Sequence, residues 1–273
     1  MAFRASQPGR LLVALLAAAG CGGGAAARDA GDRPFDAPIF DVPPLVDGNV
    51  AGYALSFNGI NDYATAGNAG FPAASAPQTI SLWVNYLATT ATQDFIVLRL
   101  DQSSGVQIGI RNGTITVWRV FSGRTLVAAP TAPAAGQWHH VAYTFDRTTH
   151  ILYVDGVMVA SSTATGDERT PNSVWLGTVD GSAELYTGLM DEVRVWSLVR
   201  APADIQKDMF HRMEGTEPGL MAYWTFDDSQ NGGRCKDMSD NGNDATLGDG
   251  IAERMPSRVL SDAPVVPGAV PGG

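Results

Sequence analysis

The chain has 273 residues, of which 45% are hydrophobic and 17% charged, and its net charge is −10. This length suffices for one core of sandwich or barrel size and is too short for several large domains. The acidic balance argues against nucleic acid as a partner, because a polyanion would be repelled. The 31 Gly and 16 Pro residues supply many turns, and the periodic segments have a period of two, which predicts an all-β fold.

Residues 1–20 have the pattern of a signal peptide. Arg4 and Arg10 precede the apolar run LLVALLAAAG, which has about half of the ~20 residues that a membrane-spanning helix needs. The run ends in AAGC, which resembles the lipobox of bacterial lipoproteins, so Cys21 is predicted to be lipidated and to become the mature N-terminus. Ordinary secretion, with cleavage after the small residues Ala25–Ala27, is the alternative. Removal of residues 1–20 leaves 16 basic and 28 acidic groups, a net charge of −12.

The segments that flank the predicted domain have the composition of flexible chain. Residues 21–50 are rich in Gly, Ala, Asp and Pro and are predicted to be a tether, and residues 263–273 are predicted to be a disordered tail. The domain itself is predicted to span residues 51–262. Lipidation of Cys21 would leave Cys235 without a disulfide partner, so Cys235 is predicted to be a free thiol in a loop.

Alternating apolar and polar residues predict about a dozen strands. In TISLWVN, Ile80, Leu82 and Val84 share one face. Asn112-Gly113 and Asp155-Gly156 each separate two alternating runs, which predicts two tight hairpins. Short strands with short turns predict a two-sheet sandwich, and the segment from Arg200 predicts one short helix near residues 201–213.

Five sequence blocks, in order over residues 53–250, resemble a laminin G-like domain of the concanavalin A-like lectin/glucanase jelly-roll superfamily. They are LSFNGINDYATAG, TISLWVN, GQWHHVAYTFDRTTHILYVDGVMVASS, LYTGLMDEVRVWSLVRAPADI and GLMAYWTFDDSQNGG with DNGNDATL. The resemblance implies a two-sheet antiparallel jelly roll. It also implies frequent calcium binding, a role in adhesion and in glycan or protein binding, and usually no catalysis.

Two adjacent acids, Asp191 and Glu192, interrupt a strand pattern. Strand alternation predicts that Asp191 shares the apolar face with Val193 and Val195, while Glu192 faces the other way. Two catalytic carboxylates must face one substrate at roughly 5 to 10 Å, so these neighbours are not expected to form a glycosidase pair.

A metal ion would compensate a carboxylate on an apolar face. In related jelly rolls the aspartate at the position of Asp191 meets calcium, and the resemblance implies that Asn58, Gly59 and Asp62 supply further oxygen ligands. The alternative is that Asp191 caps a turn or pairs with an arginine. The loop from Asp237 matches half of a calcium-binding EF-hand loop and is better explained as a turn. His139 and His140 are adjacent on a strand and are not expected to chelate one metal together.

The candidate ligand-binding residues are Trp118, Asp180 and Tyr186. Trp118 lies on a hairpin outside the resembling blocks and is predicted to be an exposed aromatic residue, and exposed aromatic rings suit the apolar faces of sugars. Asp180 and Tyr186 lie in the loop VDGSAELYTG, which resembles the place where the related pentraxins bind ligand through calcium.

These features together predict a non-catalytic, lipid-anchored binding module of the bacterial cell envelope that recognises a glycan or a cell-surface protein. The lipid is its only predicted contact with the membrane, and the outer membrane is the predicted location. A structural or assembly protein of the envelope is the alternative. A glycoside hydrolase or lyase is disfavoured, because the sequence lacks an acid pair at strand spacing.

Overall fold

The computed structural model describes residues 52–73, 75–100, 104–120, 122–163, 171–228 and 233–266. These residues form sixteen strands, one α-helix and two short 3-10 helices. The strands, numbered in chain order, are β1 (Tyr53–Asn58), β2 (Ala64–Ala66), β3 (Gln78–Tyr86), β4 (Gln93–Leu100), β5 (Ser104–Arg111), β6 (Thr114–Arg119), β7 (Thr125–Ala128), β8 (His139–Phe145), β9 (His150–Val154), β10 (Val157–Ser162), β11 (Ser173–Leu176), β12 (Thr187–Trp196), β13 (Leu220–Trp224), β14 (Arg234–Cys235), β15 (Ala245–Leu247) and β16 (Ser257–Leu260). Helix α1 is Pro202–Asp208, and the 3-10 helices are Gly248–Gly250 and Ala252–Arg254.

The strands form two antiparallel sheets of eight strands each. The first sheet has the order β10-β9-β8-β3-β12-β1-β16, with β13 also paired to β12, and the second has the order β14-β15-β2-β11-β4-β5-β6-β7. Several neighbouring strands, such as β3 with β12 and β2 with β11, are distant in sequence, so the chain crosses between the sheets, as in a jelly roll. The predicted all-β jelly-roll sandwich is therefore confirmed.

Alternating side chains fill the space between the two sheets. Ile80, Leu82 and Val84 of β3 are fully buried in this core, as their shared face predicts. Trp83, between them, points to the outer face of the first sheet and packs in a separate cluster with Met209. Each strand of the first sheet therefore offers a second, outward row of side chains.

Both predicted hairpins are present. Asn112 and Gly113 have φ angles of 52° and 82° between β5 and β6, and Asp155 and Gly156 have φ angles of 50° and 74° between β9 and β10. Positive φ at both central positions is what a two-residue turn requires when it follows the twist of its strands.

Helix α1 and residues 263–266 both cover the outer face of the first sheet. Ile205 of α1 packs with Ala142 and Tyr153. The helix ends at Asp208, five residues before the predicted end at Met213. After β16, Ala263 and Val265 are buried in the cluster that contains Trp83. The chain therefore remains packed four residues past the predicted domain end at 262, whereas the predicted signal peptide and tether lie outside the described residues.

Candidate functional site

A β-bulge in β12 puts Asp191 and Glu192 on the same face of the first sheet. The pairing of β12 with β3 shifts between Asp191, which lies opposite Trp83, and Arg194, which lies opposite Ser81, and Glu192 has a φ of 52°. The extra residue breaks the alternation, so Val193 faces the core while both acids face outward. The prediction that the two acids face opposite sides, with Asp191 on the apolar side, is wrong.

Asp191 is bonded by groups of the protein itself. Its Oδ1 accepts a hydrogen bond from the Glu192 N–H at 2.8 Å, and its Oδ2 accepts one from the Ser261 hydroxyl at 2.6 Å. Burial, and next the charge of Glu192, raise the pKa of Asp191 well above its usual value. The carboxyl group therefore joins β12 to the segment that follows β16.

Glu192 lies at the centre of a buried polar network. Its Oε2 accepts hydrogen bonds from Arg194 Nη2 at 2.6 Å and from the Tyr223 hydroxyl at 2.5 Å, and Arg212 Nε lies 3.6 Å from Oε1. Arg194 also donates to the carbonyl oxygens of Asp208, at the end of α1, and His211. The network fastens α1 to the sheet, and no substrate reaches the Glu192 carboxylate, because its side chain is 1% exposed.

The predicted calcium ligands do not form one site. Asn58 lies at the end of β1. Met190 pairs with Leu55, which is three residues before Asn58, and Asp191 lies one residue further from Asn58 in this antiparallel pairing. At ~3.3 Å per strand residue, Asp191 and Asn58 are at least about 10 Å apart along the strands. In the loop, Asn58 Oδ1 accepts three backbone N–H bonds, from Ile60, Asn61 and Asp62, and so forms a turn.

Asp62, the acid of this loop, is also hydrogen-bonded within the turn. Asp62 Oδ2 accepts the backbone N–H of Asn58 at 3.0 Å. Gly59 has a φ of 70°, and a Cβ there would lie 1.8 Å from the Thr187 hydroxyl oxygen, so this position is a tight turn. No group of three or more His, Cys, Asp or Glu side chains within the described part of the chain is placed to hold a metal. A calcium ion shared by Asp191 and the Asn58 loop does not fit this arrangement.

Two of the three predicted ligand-binding residues are buried. Trp118 is 2% exposed, because it lies next to Arg111, whose guanidinium is 5.4 Å from its ring, and Tyr186 is fully buried in the core against Phe57 and Phe95. The prediction that Trp118 is an exposed aromatic residue is therefore wrong. Asp180 is exposed, and its Oδ1 accepts hydrogen bonds from Ser182 and Ala183.

The loop of residues 177–186 crosses the outer face of the second sheet, where its Glu184 lies next to the buried Asp94. Gln107 Nε2 lies within hydrogen-bond distance of both Asp94 oxygens, at 3.2 and 3.0 Å, and of Glu184 Oε2, at 2.7 Å. The backbone N–H of Asp94 donates to the Glu184 carbonyl at 2.8 Å. Burial, and next the charge of Glu184, raise the pKa of Asp94 well above its usual value. This pair, which the sequence did not single out, holds the loop on the sheet.

Beside this loop lies a partly exposed aromatic surface, which we call the Trp175 face. The Trp175 ring packs at 5.5 Å from Tyr63, and Arg99 lies 5.8 Å from its centroid. A Cβ at Gly181 would lie 3.3 Å from Tyr63 and 3.5 Å from Trp175, so the loop approaches both rings closely. Trp175 is half-buried and its neighbour Tyr63 is buried.

Exposed acids flank the Trp175 face. Asp249 accepts hydrogen bonds from the Tyr63 hydroxyl at 3.0 Å and the Thr65 hydroxyl at 2.8 Å, and Asp180 lies at the tip of the loop beside Gly181. Strand alternation could have found Trp175, because Val174 and Leu176 on either side of it face the core.

A cavity of about 350 Å³ lies on the opposite sheet. Its lining residues are Arg212, Met213, Tyr223, Thr225, Asp227, Asp228, Lys236 and Met238. Arg212 and Asp227 already form an ion pair across it, at 2.6 Å, and the Tyr223 hydroxyl is bonded to Glu192. These groups are already engaged within the protein and the cavity offers no exposed tryptophan, so we take the Trp175 face as the better candidate.

Cys21 lies outside the described residues, and its lipidation stays a prediction. Cys235 is a free thiol, as predicted, but it is fully buried on β14 rather than in a loop, and burial raises its pKa to about 12. His139 and His140 point to different sides of β8, toward Tyr86 and Trp83. No helix within the described ranges is long and apolar enough to cross a membrane.

The two antiparallel sheets define the architecture of a jelly roll. A family model for the concanavalin A-like lectin/glucanases superfamily, of the laminin G type, matches residues 58–206. The chain therefore belongs to this superfamily, and the predicted resemblance is confirmed. A search of curated proteins finds no match.

Solved structures share the fold. One is a proposed carbohydrate-binding protein from Bacteroides ovatus, with a TM-score of 0.62, 22% identity, and coverage of 80% of this chain and 62% of that chain. Another is domain 4 of AbnA, an extracellular arabinanase from Geobacillus stearothermophilus, in complex with arabinotriose, with a TM-score of 0.50, 21% identity, and coverage of 56% and 75%. The present chain thus spans less than two thirds of the first structure, and at these identities the likeness concerns the fold alone.

Proposed function

We propose that the protein is a glycan-binding module and that its ligand lies on the Trp175 face. The observation that carries the proposal is the half-buried Trp175 ring, which packs against Tyr63 at 5.5 Å and is flanked by the exposed acids Asp180 and Asp249. An aromatic ring suits the apolar face of a sugar, and carboxylates accept hydrogen bonds from sugar hydroxyls. Carbohydrate binding in the names of two structures with this fold supports the same class of ligand.

The charges of the face favour a neutral glycan. Asp180 and Asp249 are exposed, whereas Arg99 is 8% exposed and donates to the Val179 carbonyl at 2.9 Å. Arg254, whose Nη1 donates to the Tyr63 hydroxyl at 3.4 Å, is an exposed cation beside this face, but the two exposed acids outnumber it. A glycan that carries carboxylates or sulfates would therefore meet an excess of negative charge, in a chain of net charge −10.

We also propose that the module is not catalytic. The acid pairs Asp191 with Glu192 and Asp94 with Glu184 are bonded to protein donors, and three of these four carboxyl groups are nearly or fully buried. Glycosidase carboxylates must instead contact the glycosidic bond from two sides. Release of sugars from a bound oligosaccharide by the wild-type protein would contradict this part of the proposal.

The proposed setting is the bacterial cell envelope, with the domain held to a membrane through lipid on Cys21 and the tether of residues 21–50. The motif AAGC at the end of a short apolar run supports this proposal. Binding to a cell-surface protein, or a structural role in envelope assembly, is the competing function.

A glycan array tests the proposal. We expect the wild-type protein to bind neutral oligosaccharides and Trp175→Ala to lose binding by about tenfold or more, because the variant lacks the aromatic ring against which the apolar face of the sugar packs. Trp138→Ala is the matched control, because Trp138 is also half-buried but lies beside Asp262, to which its Nε1 donates at 2.6 Å. Equal binding by wild type and Trp175→Ala, or loss in both variants alike, would contradict a site on the Trp175 face.

A further inference from the structure

A small cavity lies between helix α1 and the first sheet, away from the Trp175 face. Its volume is about 10 Å³. Its lining residues are Thr79 and Ser81 of β3, His140 of β8, Arg194 and Trp196 of β12, Arg200, and Ile205 and Asp208 of α1. One water molecule needs on the order of 10–15 Å³, so the cavity holds a single small ligand.

Three nitrogen atoms of the lining residues are buried without a hydrogen-bond partner. They are His140 Nδ1, Arg194 Nε and Arg200 Nε. His140 and Arg194 are 2% and 1% exposed. A buried polar atom without a partner loses its hydration on folding and is destabilising, so such atoms are normally bonded to protein or to ordered water.

The three atoms offer two donors and one acceptor. The guanidinium Nε–H groups of Arg194 and Arg200 can only donate. Burial, and next the positive charge of Arg194, lower the pKa of His140 to about 3, so the ring is neutral and Nδ1 can accept. A ligand that forms hydrogen bonds with all three nitrogen atoms must accept two hydrogen bonds and donate at least one.

The charges around the cavity are balanced. Arg194 is paired with Glu192 at 2.6 Å, and Arg200 is paired with Asp208. An anion would therefore enter a buried place without net positive charge to compensate its own desolvation. A halide would also leave the acceptor His140 Nδ1 without a donor.

We propose that this cavity binds one water molecule that accepts hydrogen bonds from Arg194 Nε and Arg200 Nε and donates one to His140 Nδ1. The water joins β8, β12 and the segment before α1, and its second hydrogen points toward the remaining polar wall, where Ser81 lies. It also fixes His140 as the tautomer with its proton on Nε2.

Crystals of the purified protein soaked in bromide test the site and its ligand together. We expect a density peak at about 2.7–3.2 Å from the three nitrogen atoms and no anomalous bromine signal there. A bromine peak in the cavity would show that the ligand is an anion and would contradict the proposed water. The absence of any density there would show that the cavity is not a binding site.

Nitrogen NMR of His140 gives a second, independent measurement. We expect neutral imidazole with the proton on Nε2 at neutral pH, and a proton on Nδ1 would contradict the proposed donor from water. In the variants, His140→Asn keeps an acceptor near Nδ1 and should keep the water, whereas His140→Leu should lose it. The same water peak in His140→Leu would show that His140 does not hold the ligand.

Discussion

At the scale of single residues, the surroundings of each acid determine the direction in which its pKa shifts. Asp94 is fully buried against Glu184, whereas Asp146 is exposed in a turn between β8 and β9. Burial and the neighbouring acid raise the pKa of Asp94. Hydrogen bonds from Thr149 and Thr148 lower the pKa of Asp146. The two carboxyl groups therefore respond to pH with opposite signs.

The first prediction concerns Asp94→Asn. Because the folded-state pKa of Asp94 is raised, its protonated form favours folding, and its contribution to stability is present below the unfolded pKa of about 3.9 and is lost as the pH rises. Asn resembles the protonated carboxyl group. We expect Asp94→Asn to be more stable than wild type near pH 8 and nearly equal to it near pH 4, measured by urea unfolding.

Asp146→Asn is the control for this measurement. Its folded pKa is lowered, so wild-type Asp146 contributes stability above the unfolded pKa and loses it as the pH falls. The advantage of wild type over Asp146→Asn should thus grow with pH. An Asp94→Asn variant that loses stability relative to wild type as the pH rises would refute a raised pKa of Asp94.

Single-residue roles at the candidate site were only partly accessible from the sequence. Asp180 was predicted to be at the ligand-binding loop and is exposed there, but Trp118 and Tyr186 are buried. A strand pattern shows that Trp118 alternates with Val117 but not which neighbours cover its ring. The partnership of Asp94 with Glu184 joins positions 90 residues apart, and only the fold brings these together.

At the scale of elements, the bulge in β12 places polar side chains where they can bond the end of α1 to the sheet. Met190 and Val193 both face the core although they are three residues apart, so Asp191 and Glu192 fit between them on the outer side. Arg194 can then bond both Glu192 and the end of α1. The conformation with positive φ at Glu192 is uncommon for a residue with a side chain, and the buried network holds it there.

The second prediction concerns Glu192→Gln. Gln keeps the shape but removes the charge that compensates the buried Arg194, so we expect a loss of about 3–5 kcal/mol in the free energy of unfolding. Tyr223→Phe removes the hydroxyl group that donates to Glu192 and accepts the Met213 N–H, and should cost about 1–3 kcal/mol. Urea unfolding of both variants measures the difference. A Glu192→Gln variant no less stable than Tyr223→Phe would contradict the proposed importance of the charge.

The strands and hairpins could be predicted because local patterns specify them. Alternation in β3 and the Asn112-Gly113 and Asp155-Gly156 turns depend on neighbouring residues only. The bulge could not be predicted, because its evidence is the inward direction of Met190, which depends on the register with β1 and β3. The calcium prediction assumed that Asp191 lies near Asn58, and the same register places them apart.

At the scale of the whole molecule, the two outer faces differ. The outer face of the first sheet is covered by α1 and by residues 263–266, with Trp83 Nε1 bonded to the Met209 carbonyl at 2.7 Å. The outer face of the second sheet carries the loop of residues 177–186 and leaves Trp175 half-buried. A ligand on the Trp175 face therefore meets the side of the sandwich that α1 does not cover.

The last prediction concerns attachment of the whole protein to a membrane through Cys21. The chain has two cysteines, Cys21 and Cys235, and only Cys21 follows a short apolar run with small residues before it. A single acyl chain binds a membrane only weakly and reversibly, whereas two or more anchor it stably, so a diacylated Cys21 should hold the protein in the detergent phase. We expect wild type expressed in a diderm bacterium to incorporate labelled fatty acid and to partition into detergent, and Cys21→Ser to do neither. Cys235→Ser is the matched control and should behave as wild type, because the Cys235 thiol is fully buried. Wild-type protein that carries no fatty acid and remains in the aqueous phase would show that ordinary secretion, with cleavage near Ala25–Ala27, is the correct interpretation of the N-terminus.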